Sequence, residues 1–189
     1  RERKAANPGH TGNEEYNWFQ AVLFPASQLR ILPYNRCVKD LNGLSEDQFM
    51  EAIRSTFTVC EKAAPAPKQP ANISMYFQGK WWGLGWTPEK VVNPVAALDV
   101  SVLQDRLLKP VLGIDDPRTN SRIEFVGGIR GTGELEKRVE SGRAAVAFSM
   151  YPTTVEQLMA ISDAGQVMPP KSTWFEPKLR DGLIIHLLD

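Results

Sequence analysis

Three stretches of the chain gather side chains suited to holding an anion. The first is MPPKSTWFEPKL, Met168 to Leu179, with Lys171, Ser172 and Thr173 adjacent and Lys178 shortly after. A lysine beside two hydroxyls offers charge and hydrogen-bond donors to a phosphate or carboxylate. Pro169 and Pro170 restrict the backbone ahead of it and lower the entropy cost of holding those groups in place. Trp174 and Phe175 either stack on a base or seal the core. Taken as a plain connection, the same string is a rigid proline turn with a surface lysine, and for an arbitrary loop that reading leads by about two to one.

The second stretch is GGIRGTG, Gly127 to Gly133, between an expected strand and an expected helix. Its backbone N–H groups could face an anion, and Arg130 adds charge. It has no Gly-Lys-Ser/Thr ending and does not follow the G-x-G-x-x-G spacing, so a turn feeding a helix is the simpler reading. The third is Tyr34-Asn35-Arg36 with Lys39 and Asp40, where Arg36 and Asn35 could fork onto a carboxylate or phosphate. A structural ion pair is the usual alternative.

Acidic groups come next. Asp99, Asp105 and Asp163 fall at or within expected helices. Asp163 is close in sequence to Lys171, which suits it to orient the lysine or to ligate a metal; a solvated helix face explains each acid more simply. His10 lies in a polar stretch and His186 in an apolar one read as a strand, so His186 is expected to be a satisfied sheet residue. No Ser-His-Asp or Cys-His arrangement stands out. Cys37 and Cys60 fit no paired metal spacing and are too few for a disulfide scaffold. No metal site and no catalytic residue is assigned. Trp81, Trp82 and Trp86 crowd one segment; alternation puts Trp82 and Trp86 on one face and Trp81 on the other, either to fill a core or to stack on a sugar or base.

The elements that must position these groups follow from periodicity. Arg1–Ala6 reads as the end of a helix stopped at Asn7-Pro8. Tyr16–Phe24 and Leu29–Leu32 read as strands, with Tyr34–Asp40 continuing the second into a loop. Ser45 and Gln48 form a capping box for a helix with Phe49, Ile53 and Phe57 at helical spacing. Ala63–Pro70, with three prolines, is a linker and a candidate sub-boundary. Ile73–Phe77 and Lys80–Thr87 flank Gln78-Gly79 as a hairpin. Asp99–Leu112 is an amphipathic helix ended by Gly113, and Arg122–Val126 a strand. A helix is expected from about Glu134 to Ser141. Ala144–Met150 is an apolar, central strand. Thr153 and Glu156 make a second capping box for a helix ended by Gly165, and Leu183–Leu188 is a last strand. This interleaving predicts an α+β fold, a sheet of mixed direction with helices, as one C-terminal domain or part of a larger α/β protein.

Charge narrows the partners. Lys plus Arg equals Asp plus Glu at 22 each, so the chain is neutral. That balance counts against nucleic acid, whose binders draw affinity from a basic surplus. No apolar run approaches the ~20 residues that cross a bilayer. The expected setting is the cytoplasm. Because residue 1 is Arg, the sequence reads as beginning inside a structural element.

Four segments, Pro33–Ser45, Ala97–Asp116, Ile123–Gly131 and Ile161–Leu183, resemble the bacterial and archaeal family called domain of unknown function 1015. The resemblance implies kinship with ParB-type proteins, whose fold also includes free-serine kinases. The family's Asp-Gly-His-His-Arg motif is absent here; the His10 context NPGHTGN does not match it. The resemblance thus implies the C-terminal part of such a protein, and no catalytic residue carries over.

Two classes of function remain. One is a part of a phosphotransferase-like enzyme that binds a small phosphorylated molecule or a nucleotide with magnesium, using Tyr34, Asn35, Arg36, Lys39, Arg130, Asp163, Lys171, Ser172, Thr173 and Lys178. The other is a non-enzymatic regulatory or assembly domain, such as a homodimer.

Overall fold

The computed structural model describes residues 1–88, 93–180 and 182–188. It divides into two compact units, Ile31–Phe175 and a smaller one made of Arg1–Arg30 and Glu176–Asp189. The Pro-rich segment 63–70 falls inside the larger unit.

Alternating apolar residues build a six-stranded sheet in the larger unit. Its strands are β2 (Tyr34–Val38), β3 (Thr58–Glu61), β4 (Asn72–Phe77), β5 (Lys80–Gly85), β6 (Ile123–Gly127) and β7 (Val146–Met150), in the order β3-β5-β4-β7-β2-β6. All neighbouring pairs run antiparallel. The α+β class is as expected; the mixed strand direction is not, because each longer connection delivers its next strand beside a partner of opposite sense. Short strands β1 (Arg30–Leu32) and β8 (Trp174–Glu176) make a separate two-stranded sheet, and a one-turn helix, α1 (Glu2–Ala6), opens the smaller unit.

The pleat separates two apolar clusters. Val38, Ile73, Met75, Phe77, Trp82, Leu84, Val146, Phe148 and Met150 point to one face, with Trp86 packed behind them. Cys37, Tyr76, Val126 and Ala147 point to the other, with Trp81. The tryptophans therefore divide as alternation requires. The first face is covered by α2 (Glu46–Thr56), by α3 (Asp99–Leu103) and by Ile161 of α5 (Val155–Asp163); the second is covered by Leu135 and Val139 of α4 (Gly133–Glu140). Each fully buried large side chain such as Phe49 or Phe148 contributes roughly 1.5–3 kcal/mol, which is what lets the unit tolerate buried charge elsewhere.

Local signals hold where they are chemically specific. Ser45 accepts from Gln48 N while Gln48 answers Ser45 N, the expected capping box. Gln78 and Gly79 both have positive φ, 53° and 69°, as a two-residue hairpin turn demands. The second capping box sits one residue later than expected, on Thr154 and Gln157, because Thr153 is buried and its hydroxyl donates to Ser172 O at 3.2 Å.

Other expectations fail for lack of a partner. Tyr34–Val38 is a full strand rather than a loop, paired on both sides. Thr58–Glu61 is a strand the sequence reading missed. Tyr16–Phe24 holds only a single 3₁₀ turn at Glu15–Asn17, and Leu183–Leu188 is not a strand; β-propensity acts through cross-strand packing, and no sheet takes these segments up. His186 is accordingly no sheet residue: its Nε2 lies 3.0 Å from Glu15 O within the smaller unit. In that unit Glu14 gathers the N–H groups of Thr11 and Gly12, which hold its carboxyl down to about 2. The long helix from Asp99 stops being α-helical at Leu103 and widens into a π turn, Gln104–Leu108, with Lys109 N bonded to Gln104 O at 2.9 Å. Pro110, just beyond, cannot continue a regular helix. Among the described residues no helix is long and apolar enough to cross a membrane.

Candidate functional site

Strand register decides what Arg36 can do. It pairs with Phe148 on β7 and Phe125 on β6, on the face that carries Val38 and Phe148. Its side chain is thus sent into the main core, and only 4% of it is exposed. One terminal nitrogen donates to Tyr34 O. The other donates to Lys171 O at 3.4 Å, and the guanidinium lies 5.4 Å from the Phe125 ring centre. Among the described residues no carboxylate comes within 4.0 Å of it. Burial pulls its pKa down to about 10, so it keeps its charge at neutral pH. Two carbonyls leave further N–H groups of a five-donor guanidinium uncommitted.

Arg36 opens onto a cavity of about 450 Å³. Ser101, Gln104 and Asp105 form one wall, Asp115, Asp116 and Arg118 another, and Pro169-Pro170 close the side nearest the Lys171 loop. Gln104 donates to Ile114 O and Asp115 O, and its own side-chain oxygen is buried without a partner among the described residues. Asp116 is clamped bidentately by Arg118, Nε donating to Oδ1 and Nη2 to Oδ2, which holds its carboxyl below the usual range. Asp105 and Asp115 are exposed and make no ion pair among the described residues. The arrangement is a positive floor under an acidic mouth.

The residues singled out in the sequence separate accordingly. Tyr34, Arg36 and Lys171 come together: Lys171 Nζ stands 5.5 Å from the Tyr34 ring centre, and Lys171 adopts a positive φ of 53°. Asn35 is buried on the opposite side of the strand, where Oδ1 accepts from Met150 N at 3.0 Å; it fastens a strand end. Ser172 is buried too, and its hydroxyl donates to Pro169 O at 2.5 Å, pinning the turn. Thr173 is half-buried and lines no part of the cavity. Lys39 faces Glu124 at 3.8 Å and Arg130 faces Glu134 at 3.9 Å, both at the surface. Asp163 ends α5 exposed, and Lys178 lies exposed in the smaller unit.

The glycine-rich loop has a different purpose from the one its composition suggests. A Cβ on Gly127 would stand 2.4 Å from the Trp174 ring, and one on Gly128 would stand 2.7 Å from Pro33. These two glycines admit packing neighbours, not an anion. The cavity residues Ser101, Gln104 and Arg118 escaped the sequence reading, since none belongs to a motif; the signal available was the interrupted helix before Pro110. Among the described residues no group of three or more His, Cys, Asp or Glu is placed to hold a metal ion.

A family model described as protein of unknown function (DUF1015) matches residues 1–101, and the chain belongs to that family. The resembling segments from Ile123 onward lie beyond this match, and Asp181 within the last lies outside the described residues. No curated protein matches the chain. Among solved structures it is similar to a conserved hypothetical protein from Pyrococcus furiosus, at 17% identity and a TM-score of 0.51, covering 82% of this chain and 59% of that one. It is also similar to a free serine kinase in complex with AMP, at 14% identity and a TM-score of 0.50, covering 79% and 55%. SbnI with a C-terminal truncation, from Staphylococcus aureus, matches at 12% identity and a TM-score of 0.47, covering 86% and 55%. The chain spans a little over half the length of these proteins. At such identities the likeness to the first two is one of fold.

Proposed function

We propose that the cavity over Arg36 binds a small phosphorylated molecule, a nucleotide being the first candidate, in the cytoplasm. The observation that carries this is a guanidinium 4% exposed, facing a cavity, with no carboxylate partner among the described residues. An unpaired buried charge costs several kcal/mol, and a phosphate or carboxylate would supply the missing partner in bidentate form. The acidic mouth disfavours a bare polyanion. It suits a ligand that also brings hydroxyls, as a ribose does, or an accompanying magnesium ion at Asp105 and Asp115. The similar kinase solved with AMP supports trying nucleotides first.

The test is isothermal titration of the full-length protein with AMP, ADP and inorganic phosphate, with and without magnesium. AMP is expected to bind more tightly than phosphate, and Arg36→Met to weaken both. No heat with any of the three sinks the proposal.

A second reading, an assembly domain, draws on the smaller unit, where Phe19 is 86% and Leu23 93% exposed alongside Trp18, Ile184 and Ile185. Exposed apolar groups in such number are uncommon on monomers. Light scattering across a concentration series should then show a concentration-dependent dimer; a strict monomer at every concentration removes this reading.

A further inference from the structure

Behind the wall formed by the Asp99–Leu108 helical segment lies a second cavity, of about 390 Å³, within the larger unit. Trp86 forms one side of it, Pro70 and Ala71 another, and Val102 with Ala96 and Ala97 a third. Asp99 is its polar floor. Only 8% of this residue is exposed, and Oδ1 accepts a hydrogen bond from Ala71 N at 3.0 Å. Among the described residues Oδ2 accepts nothing, and no cation is paired with the group. Asp105 lines the same space, as do Gln157 and Arg106, the last of which has a partner of its own. Among the described residues its lining carries two carboxylates, Asp99 and Asp105, against the one guanidinium of Arg106, so that lining is net negative.

Part of the role of Asp99 is local. Ala71 has a φ of 59°, a left-handed conformation costly for a residue with a Cβ, and the Asp99 bond to its N–H helps hold it there. An asparagine would do that equally well through its side-chain oxygen. A carboxylate is a poor choice for the task alone, since burial raises its pKa to about 6 and works against the ion. The second oxygen, the apolar walls and the tryptophan face together call for a ligand.

We infer that this cavity is a binding site for a small organic cation, a primary ammonium on an apolar body, with the ammonium at Asp99 Oδ2 and the body against Trp86. Charge selects the sign, because a carboxylate in a low-dielectric pocket is satisfied by a donor that carries positive charge. Trp86 is the best aromatic face for such a group. The volume is in the range of small-molecule pockets. The site is separate from the one over Arg36 and stands whether or not that cavity takes a phosphate.

The experiment compares n-butylammonium and tryptamine with the neutral n-butanol, each titrated into the full-length protein at pH 7.5 and followed by ligand-observed NMR. The two amines should bind and the alcohol should not. Asp99→Asn, which preserves the bond to Ala71 N, should weaken tryptamine at least tenfold; Ala96→Phe, which fills the cavity from the other side, should abolish binding of both amines. Arg36→Met should leave them unchanged. Equal binding of amine and alcohol, unchanged affinity in Asp99→Asn, or no binding of either amine at millimolar concentration would each overturn the inference.

Discussion

The two cavities share one wall and differ in the sign of the charge at the floor. Arg36 reaches its cavity from the middle of a strand, with two carbonyls as company. Asp99 reaches its own from the start of a helix, with one N–H. Neither has an ion partner among the described residues, although elsewhere the chain pairs its charges freely: Arg122 clamps Asp40, and Arg138 bridges Glu124 and Glu134. The contrast teaches where to look. At a surface pair, charge partners charge and contributes little. At these two floors the fold bears a buried charge with no ion partner among the described residues, and that is the condition under which a ligand gains most from binding.

The largest effect should come from breaking what the cavities share. Leu107 is fully buried in the π turn between them. Leu107→Ala should destabilise the protein by about 2–5 kcal/mol, the usual cost of a core leucine, measured by urea unfolding. It should weaken both ligands together. If it weakens only one, the wall is not common to the two sites and the comparison fails.

Separating the sites comes next. Arg36→Met keeps the length and apolar stem but removes the charge. Losing charge-assisted hydrogen bonds worth about 1.5–3 kcal/mol should lower AMP affinity by roughly 10- to 150-fold. Stability should hold or rise, as it does when an unpaired buried ion gives way to a well-packed apolar group. A large loss of stability with unchanged AMP binding would make Arg36 a structural group bonded to Tyr34 and Lys171 and nothing more.

How much of this was legible beforehand depends on distance along the chain. Signals confined to a few residues came through: the Ser45–Gln48 cap, the Gln78-Gly79 turn, the opposed faces of Trp81 and Trp82, and the apolar central strand at Val146–Met150. Arg36 was picked out by type, but its burial was not, since that follows from pairing with β6 and β7, far away in sequence. The same separation explains the errors. Gly127 and Gly128 left an anion nest open beside the simpler reading of a turn, and only contact with Trp174 and Pro33 shows why they lack side chains. Asn35 and Ser172 looked like ligand donors, and each is consumed by a backbone group brought to it by the fold. Asp99 was noted as one acid among three; nothing local marks it as the buried one.

Proton linkage distinguishes the floors without any ligand. Burial raises the Asp99 carboxyl from 3.8 to about 6. The folded protein therefore binds more protons than the unfolded chain between those values, and its stability falls as pH rises through that window. At about 1.4 kcal/mol per pKa unit, the cost fully present above pH 6 is on the order of 2–3 kcal/mol. Asp99→Asn should erase it: equal stability near pH 4, and a variant more stable than the parent near pH 7. The charged groups sharing this space, Asp105 and Arg106, stay in place in both proteins and cancel in the difference. A flat difference across pH 4 to 7 would mean that Asp99 is solvated or paired, and the negative floor would be gone.

The smallest effect should lie at the mouth of the Arg36 cavity. Arg118 is well exposed and already committed to Asp116 at 2.8 Å. Surface pairs of this kind contribute about 0–1 kcal/mol, so Arg118→Ala should barely change stability. It does release the Asp116 carboxylate and makes the mouth more acidic. AMP should then bind less tightly by no more than about fivefold, and added salt should shrink the difference by screening the exposed charge. The Arg36→Met loss, set in a buried site, should be much less sensitive to salt. If Arg118→Ala proves the more damaging of the two, the anion rests at the rim, and the buried arginine belongs to the scaffold.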